Sequence, residues 1–297
     1  MSRYGRFAHD ALKNNQLTPK KRFGQNFLVH RETAEAIVRA GKVTASDTIV
    51  EVGVGLGALT LPLAAAANHV YGYEIDSGIV RFHEQQKDLP ENVTLIHQDI
   101  LKADFNEIVQ KCGAGLKILA NLPYSISNPF IFKLIDNAHL IKSATIMLQK
   151  EVADRLSAEV NTKDYGVPTI LLASVATVDR KLTLKPAEFH PRPKVDSVVI
   201  TIDFTGGPKQ TGPYDYTLFK HIVRSTFNQR RKTVINTLSR ANLFGVTHKE
   251  DKKTNKELAH RALTDAGIAP SARPETLLFS DFVRLAVCVE KLQKEAK

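Results

Sequence analysis

Three glycines at alternate positions, Gly53, Gly55 and Gly57, sit directly behind the apolar segment Thr48-Ile49-Val50-Glu51-Val52 and ahead of an Ala/Leu-rich stretch reaching about Ala67. That order constrains the fold more than any other feature of the chain. The β-branched run reads as a buried strand, the glycines as a tight turn and the stretch behind them as a helix. Glycine tolerates positive φ and lets the backbone approach a ligand closely. A nucleotide-type cofactor is the natural occupant of such a turn, although turns of this kind also occur with no ligand at all.

The same alternation continues. Residues 69–73, 93–97, 116–120 and 144–148 read as strands, and 79–86, 129–137 and 150–159 as helices. Strands alternating with helices predict a parallel sheet covered on both faces. Residues 31–41 read as a helix stopped by Gly41. Beyond Val167 the pattern is less regular, with a late strand at 195–204. The Gly/Pro-rich stretch Thr205-Gly206-Gly207-Pro208 through Thr211-Gly212-Pro213 is the clearest linker, so the division falls into 1–207 and 208–297. Past it the pattern is helical. Phe219, Ile222, Val223 and Phe227 form one apolar face, Val234, Ile235 and Leu238 another, and Phe282, Leu285, Ala286 and Val289 a third. Ser280 is the expected cap of the last helix.

Charge bears on partners. Over 297 residues, 41 Lys and Arg stand against 31 Asp and Glu, a net +10. That excess favours a polyanion, most commonly nucleic acid. Arg3, Arg6, Lys13, Lys20, Lys21 and Arg22 against the single acid Asp10 make the first thirty residues a basic arm. Cys112 and Cys288 form no Cys-x-x-Cys pair and read as buried small hydrophobes in a reducing compartment. The histidines show no metal-ligand spacing, so no metal is expected. The start lacks the apolar core of a secretory signal, and no run approaches the roughly 18 apolar residues of a membrane span. A cytoplasmic protein with no membrane partner is expected.

Two acids sharpen the glycine turn. Glu74 closes the second strand, 21 residues after Gly53, near the ~20 expected for a carboxylate that binds ribose hydroxyls. Asp99 follows the third strand, where a carboxylate can accept a hydrogen bond from an adenine amine. Either acid alone is more often a solvated loop residue or a helix cap. Three signals at successive carboxyl ends of one sheet are harder to set aside, because open α/β sheets bind ligands along that edge. NAD and S-adenosylmethionine both fit. The Gly-x-Gly-x-Gly spacing and the lack of any need to seat a pyrophosphate lean toward the methyl donor.

The fourth strand runs into Asn121-Leu122-Pro123-Tyr124. An adenine N6 amine is a poor nucleophile because its lone pair is delocalised into the ring. Two acceptors that bind its two protons, the Asn121 side-chain oxygen and the Leu122 carbonyl, aim that lone pair at a methyl group. Pro123 stiffens the turn and disfavours helical geometry at Leu122. Tyr124 offers a face on which an extruded base stacks. Oriented dipoles stabilise the developing charge and the proton leaves to water, so no strong general base is required. Phe189, held ahead of two prolines in Phe189-His190-Pro191-Arg192-Pro193, is the candidate second wall; a core phenylalanine preceding a strand is the plainer account of it.

With these residues in view, the chain closely resembles the ribosomal RNA small-subunit adenine dimethyltransferases. The resemblance runs from Lys20 nearly to the end and rests on Lys21-Arg22-Phe23-Gly24-Gln25-Asn26-Phe27-Leu28, Glu51 to Gly57, Asn121 to Tyr124, Gln149 to Leu156, Phe189 to Ser197, Phe227 to Thr233 and Arg273 to Leu277. It implies a Rossmann-like, seven-stranded S-adenosylmethionine-dependent methyltransferase domain of the α/β class with a small all-helical C-terminal domain that binds RNA. It implies transfer of two methyls to each of two adjacent adenosines in a hairpin loop near the 3′ end of small-subunit rRNA. The substrate would be a pre-assembled small subunit, and the enzyme a monomer serving ribosome biogenesis. Donor contacts then fall on Asn26, Leu28, Gly53, Gly55, Glu74, Asp99 and Asn121. Val54 stands where such proteins often carry proline, which is expected to loosen the turn.

Other readings remain in play at this level. A methylase of large-subunit rRNA shares the Gln-Asn-Phe-Leu and catalytic elements, but the Gln229-Arg230-Arg231-Lys232 and Arg273-Pro274-Glu275 segments resemble the small-subunit enzymes. An RNA-binding assembly factor would use Lys21, Arg22, and Arg230, Arg231 and Lys232 on a helix to contact phosphates. An NAD-dependent oxidoreductase explains the glycines but neither the Asn-Leu-Pro-Tyr turn nor the charge.

Overall fold

In a computed structural model of the chain, residues 25–207, 213–244 and 252–295 are described. The basic arm up to residue 24, with Lys21 and Arg22, and the linker residues 208–212 lie outside them.

The strands, in chain order, are β1 (Phe27–Leu28), β2 (Thr48–Val52), β3 (His69–Glu74), β4 (Val93–His97), β5 (Leu116–Asn121), β6 (Ile141–Gln149), β7 (Thr177–Leu184), β8 (Phe189–His190) and β9 (Ser197–Asp203). Seven of them form one sheet in the order β4-β3-β2-β5-β6-β9-β7, and β1 pairs with β8 in a separate ladder. The stretch from β4 to β6 is parallel, and β9 runs antiparallel to both β6 and β7. This is the Rossmann-like, seven-stranded α/β architecture that the resemblance implies; the alternation alone predicts a parallel sheet, and β9 makes it a mixed one. β2 and β6 are buried almost throughout, as parallel strands covered on both faces must be. Edge strand β7 is largely exposed and carries Asp179, Arg180 and Lys181, charges of the kind that discourage edge pairing.

The chain leaves β2 outward through β3 and β4, then returns to place β5 on the other side of β2. That reversal is the switch point beside which open α/β sheets bind ligands. One face of the sheet is packed by helices Arg31–Ala40 and Thr60–Ala66. Ile37, Leu63, Ile49, Val70, Leu119 and Val199 meet there in one buried cluster. Gly41 does end the first of these helices, but its φ is −74°, and Lys42 takes the left-handed position instead. Space is what favours glycine here: a Cβ at 41 would lie 3.0 Å from the Leu119 side chain, which would have to give way.

Contacts divide the chain into two compact units. The first holds the residues up to Ala153 together with Ala176–Gly206, and the second Asp154–Val175 with the residues from Gly207 onward. The single linker expected near 207 is thus one of three crossings. Residues 154–175 join the helical unit because helix Val167–Ala173 packs on helix Tyr216–Phe227 and the Tyr165 hydroxyl donates to the Leu277 carbonyl at 2.8 Å. Helices Tyr216–Phe227, Val234–Leu238, Lys252–Asp265 and Phe279–Glu295 build the rest of that unit around Phe219, Ile222, Phe282, Leu285 and Val289. Asp215 caps the first through the N–H groups of Thr217 and Leu218. Ser280 does not cap the last helix, which starts at Phe279; Asp281 reaches back to the Leu278 N–H at 2.7 Å. Neither cysteine is fully buried, and both are free. Among the described residues no helix is long and apolar enough to cross a membrane, and no cluster of His, Cys, Asp or Glu is placed to hold a metal.

Candidate active site

The carboxyl ends of β2, β3, β4 and β5 open into one cleft within the first unit, enclosing about 1020 Å³ of space that is partly open solvent. That is room for a nucleoside-sized ligand with a second group beside it. Asn26, Leu28, Gly53, Gly55, Glu74, Asp99, Asn121, Leu122, Pro123, Tyr124 and Phe189 all line it.

The glycine turn forms the floor. Gly53 and Gly55 have φ of +82° and +54°. A Cβ on Gly55 would sit 3.1 Å from the Phe27 ring, so this position needs glycine for space as well as for backbone angle. Val54 leaves no slack in the turn: it is buried and fills a notch over Gly72, where a Cβ would come within 2.5 Å of it.

Glu74 ends β3 and is almost fully buried. Its Oε1 accepts the Asp76 N–H at 2.8 Å and its Oε2 the Gly55 N–H at 3.0 Å. Burial raises its carboxyl above the usual range, and the Asp76 and Gly55 N–H groups work against that rise. Each oxygen keeps a lone pair for a further donor. Asp99, just beyond β4, uses Oδ1 to accept the Leu101 N–H at 2.9 Å, which leaves Oδ2 as the acceptor with no partner among the described residues.

Asn121 ends β5. Its Nδ2 donates to the Asn26 carbonyl at 3.2 Å, which fixes the amide and leaves Oδ1 as its unengaged acceptor. Pro123 is extended (φ −54°, ψ 134°) and turns the chain out of the sheet. Tyr124 starts a short 3₁₀ turn, and its hydroxyl meets the Ser197 hydroxyl at 3.0 Å, which anchors the ring on the start of β9. Burial raises the Tyr124 phenol and the Ser197 hydrogen bond opposes the shift.

A second layer closes the side of the cleft. β1 and β8 pair antiparallel, with Leu28 opposite Phe189. Phe189 is 2% exposed, packed in the cluster with Leu28, Met147 and Val199, and still lines the cavity. Phe27 and Gln25 were not singled out from the sequence. Phe27 packs over the glycine turn, and Gln25 bonds Asp76 at 3.2 Å, tying the segment before β1 to the start of helix Ser77–Gln86. The only signal for either was position inside the Gln-Asn-Phe-Leu motif.

The donor set suits a nucleoside-bearing cofactor without phosphate. Two carboxylates, Glu74 and Asp99, and the amide of Asn121 face the cleft, no lysine or arginine lines it among the described residues, and the turn stands open where a side chain would block it. The basic residues lie elsewhere. Arg230, Arg231 and Lys232 are exposed but occupy the turn after helix Tyr216–Phe227, not a helix as expected. The Arg230 guanidinium donates to the carbonyls of Lys163 (2.6 Å) and Thr162 (3.4 Å), so it braces this unit.

Comparison with known proteins points one way. Residues 16–264 match the family model described as ribosomal RNA adenine dimethylase. The ribosomal RNA small subunit methyltransferase A of Desulfotalea psychrophila is 59% identical over 291 residues, 98% of each chain. A protein of the same name from Clostridium botulinum is 38% identical over 269 residues, 91% of this chain and 93% of its own. Among solved structures, a dimethyladenosine transferase from Plasmodium falciparum superposes with a TM-score of 0.71 at 26% identity, covering 90% of this chain and 98% of that one. The 23S rRNA methyltransferase ErmE, at 22% identity and a TM-score of 0.62 over 89% of this chain and 100% of its own, shares the fold.

Proposed function

This chain belongs to the ribosomal RNA adenine dimethylase family, whose members methylate adenine N6 in rRNA with S-adenosylmethionine, and we propose that the cleft at the switch point carries out that reaction on two adjacent adenosines of a hairpin loop near the 3′ end of small-subunit rRNA. The substrate is the rRNA within a pre-assembled small subunit, acted on by a monomer in the cytoplasm. The small-subunit assignment draws support from the name of the 59% identical relative.

One observation carries the assignment of roles: four successive strand ends deliver the glycine turn, Glu74, Asp99 and Asn121-Leu122-Pro123-Tyr124 to a single cleft. S-adenosylmethionine supplies an electrophilic methyl group on a sulfonium. Asn26, Leu28, Gly53 and Gly55 give it a close-fitting backbone surface. Glu74 takes ribose hydroxyls on its remaining lone pairs, and Asp99 Oδ2 takes the adenine amine. For the first transfer the target amine donates two N–H hydrogen bonds, to Asn121 Oδ1 and the Leu122 carbonyl, which turns its lone pair out of conjugation; as the N–C bond forms and the S–C bond breaks, one proton leaves to water. Tyr124 and Phe189 stack on the extruded base. Arg231 and Lys232, together with Lys21 and Arg22, contact phosphates, and Arg230 does so from its braced position.

Asn121→Ala removes one of the two acceptors. Methyl incorporation into unmodified small subunits falls about 100-fold or more, while RNA binding stays close to that of the parent. Undiminished turnover by this variant overturns the role given to Asn121. Mapping the modified bases in the parent reaction tests the choice of adenosines.

A further inference from the structure

His83 lies on the inner face of helix Ser77–Gln86, with its side chain 1% exposed. Its Nε2 is 2.8 Å from the Gly55 carbonyl oxygen and its Nδ1 2.8 Å from Asp88 Oδ1. A carbonyl and a carboxylate are both acceptors. A neutral imidazole has one N–H and satisfies one of them, setting a lone pair against the other oxygen at hydrogen-bonding distance. The imidazolium donates to both. Burial works against that charge, but the hydrogen bonds to Asp88 and Gly55 and the negative charges of Asp88 and Glu74 hold the ring above its ordinary value of 6.5. Asp88, just past the end of the helix, and Glu74, at the end of β3, are the charged groups facing it; the glycine turn presents a carbonyl.

Gly55 is therefore gripped twice. Its N–H donates to Glu74 Oε2 at 3.0 Å and its C=O accepts from His83. The residue between has a φ of +54°, a conformation open to glycine. We infer that His83 is a positioning residue of the donor site: an imidazolium anchored on Asp88 holds the Gly55 carbonyl and so sets both the glycine turn and, through the Gly55 N–H, the Glu74 carboxylate. The inference rests on the reading that this turn and Glu74 hold the methyl donor.

The sign follows from linkage. The protonated ring makes the grip, so donor affinity is full below the folded-state value of His83 and falls as pH rises through it. Donor binding must in turn raise the His83 value by the matching factor.

The test is calorimetric binding of S-adenosylhomocysteine to the full chain from pH 5.5 to 8.5, for the parent, His83→Gln and Glu74→Gln. A neutral amide reaches only one of the two acceptors. His83→Gln is expected to bind about tenfold more weakly at pH 6, to converge on the parent at high pH, and to raise the donor KM while kcat at saturating donor and the KM for RNA hold. Equal affinity of parent and His83→Gln across the range overturns the inference, and so does a loss that is the same at every pH, which marks a merely structural histidine. Glu74→Gln separates the two readings. Loss of affinity there with none in His83→Gln fails His83 alone; unchanged affinity in Glu74→Gln removes the donor-site reading and this inference with it. Should His83→Gln not fold, nitrogen-15 NMR of the parent decides: two protonated ring nitrogens at pH 6.5 and a further rise with ligand support the inference, and a singly protonated ring overturns it.

Discussion

At the residue scale, Glu51 shows how much a position can cost outside the chemistry. It sits on β2 with no exposure, one residue before the turn it introduces. Burial pushes its carboxyl up to about 8, with the Thr60 hydroxyl opposing the shift and the charge of Glu74 adding to it. The folded protein holds this proton where the unfolded chain, near 4.5, has lost it. Stability therefore declines as pH rises from about 4.5 toward 8, by on the order of a few kcal/mol. Glu51→Gln keeps the shape and removes the ionisation. Urea denaturation at pH 5, 7 and 8 is expected to show a flatter profile for the variant and a gain over the parent at pH 8. The sequence marks Glu51 only as the acid of a glycine motif; that it is wholly enclosed depends on the helices that cover β2.

At the element scale the glycine turn has a prediction of its own. Gly55→Ala places a methyl 3.1 Å from the Phe27 ring at a φ of +54°. The backbone angle costs about 1–2 kcal/mol, and the displaced ring disturbs the segment that carries Asn26. A lower Tm and a raised donor KM are expected, with RNA affinity unchanged in a filter-binding assay. An Ala variant with the parent's donor KM contradicts the close backbone approach. Strands β2 to β6 are legible in the chain because each is rich in β-branched and other apolar residues, and most of them, β4 apart, are largely buried. β7 is not, since an exposed edge strand with Asp179, Arg180 and Lys181 has no apolar run to find. Helix Phe105–Cys112 is also silent: eight residues bury only Phe105 and Ile108, and Asp104 caps it through the Asn106 N–H. β1 and β8 are two residues each and exist only as partners of one another.

At the scale of the whole molecule, the net charge of +10 is the relevant quantity. RNA binding is expected to weaken steeply with salt, and a flat log-log plot of affinity against salt contradicts phosphate contact. Within the 230–232 turn Arg230 is brace as well as contact, and Arg231 and Lys232 are contacts alone. Arg230→Ala gives up hydrogen bonds to the Lys163 and Thr162 carbonyls worth about 1 kcal/mol and is expected to lower Tm by about 2–4 °C. The double variant Arg231→Ala/Lys232→Ala is expected to leave Tm alone, weaken RNA binding and reduce the salt slope by about 2. A reversed pattern shows the braces and contacts to be misassigned. Thermal melts and filter binding at several salt concentrations read both effects.

The order of motifs, the α/β class, the glycine turn, the acids that follow it and the Asn-Leu-Pro-Tyr turn are all written locally. Each rests on periodicity or on one short peptide's own conformational preferences. Convergence is another matter. Residues 26, 74, 99, 121 and 189 share a cleft because the strand order reverses beside β2 and because β1 pairs with β8, and no local stretch encodes either event. The membership of residues 154–175 in the helical unit, the bracing of Arg230 and the double grip on Gly55 belong to the same class. They depend on groups 19 to 112 positions apart meeting at hydrogen-bond distance. Hydrogen bonds need their partners within about 3 Å, and only the packed chain brings such distant residues that close.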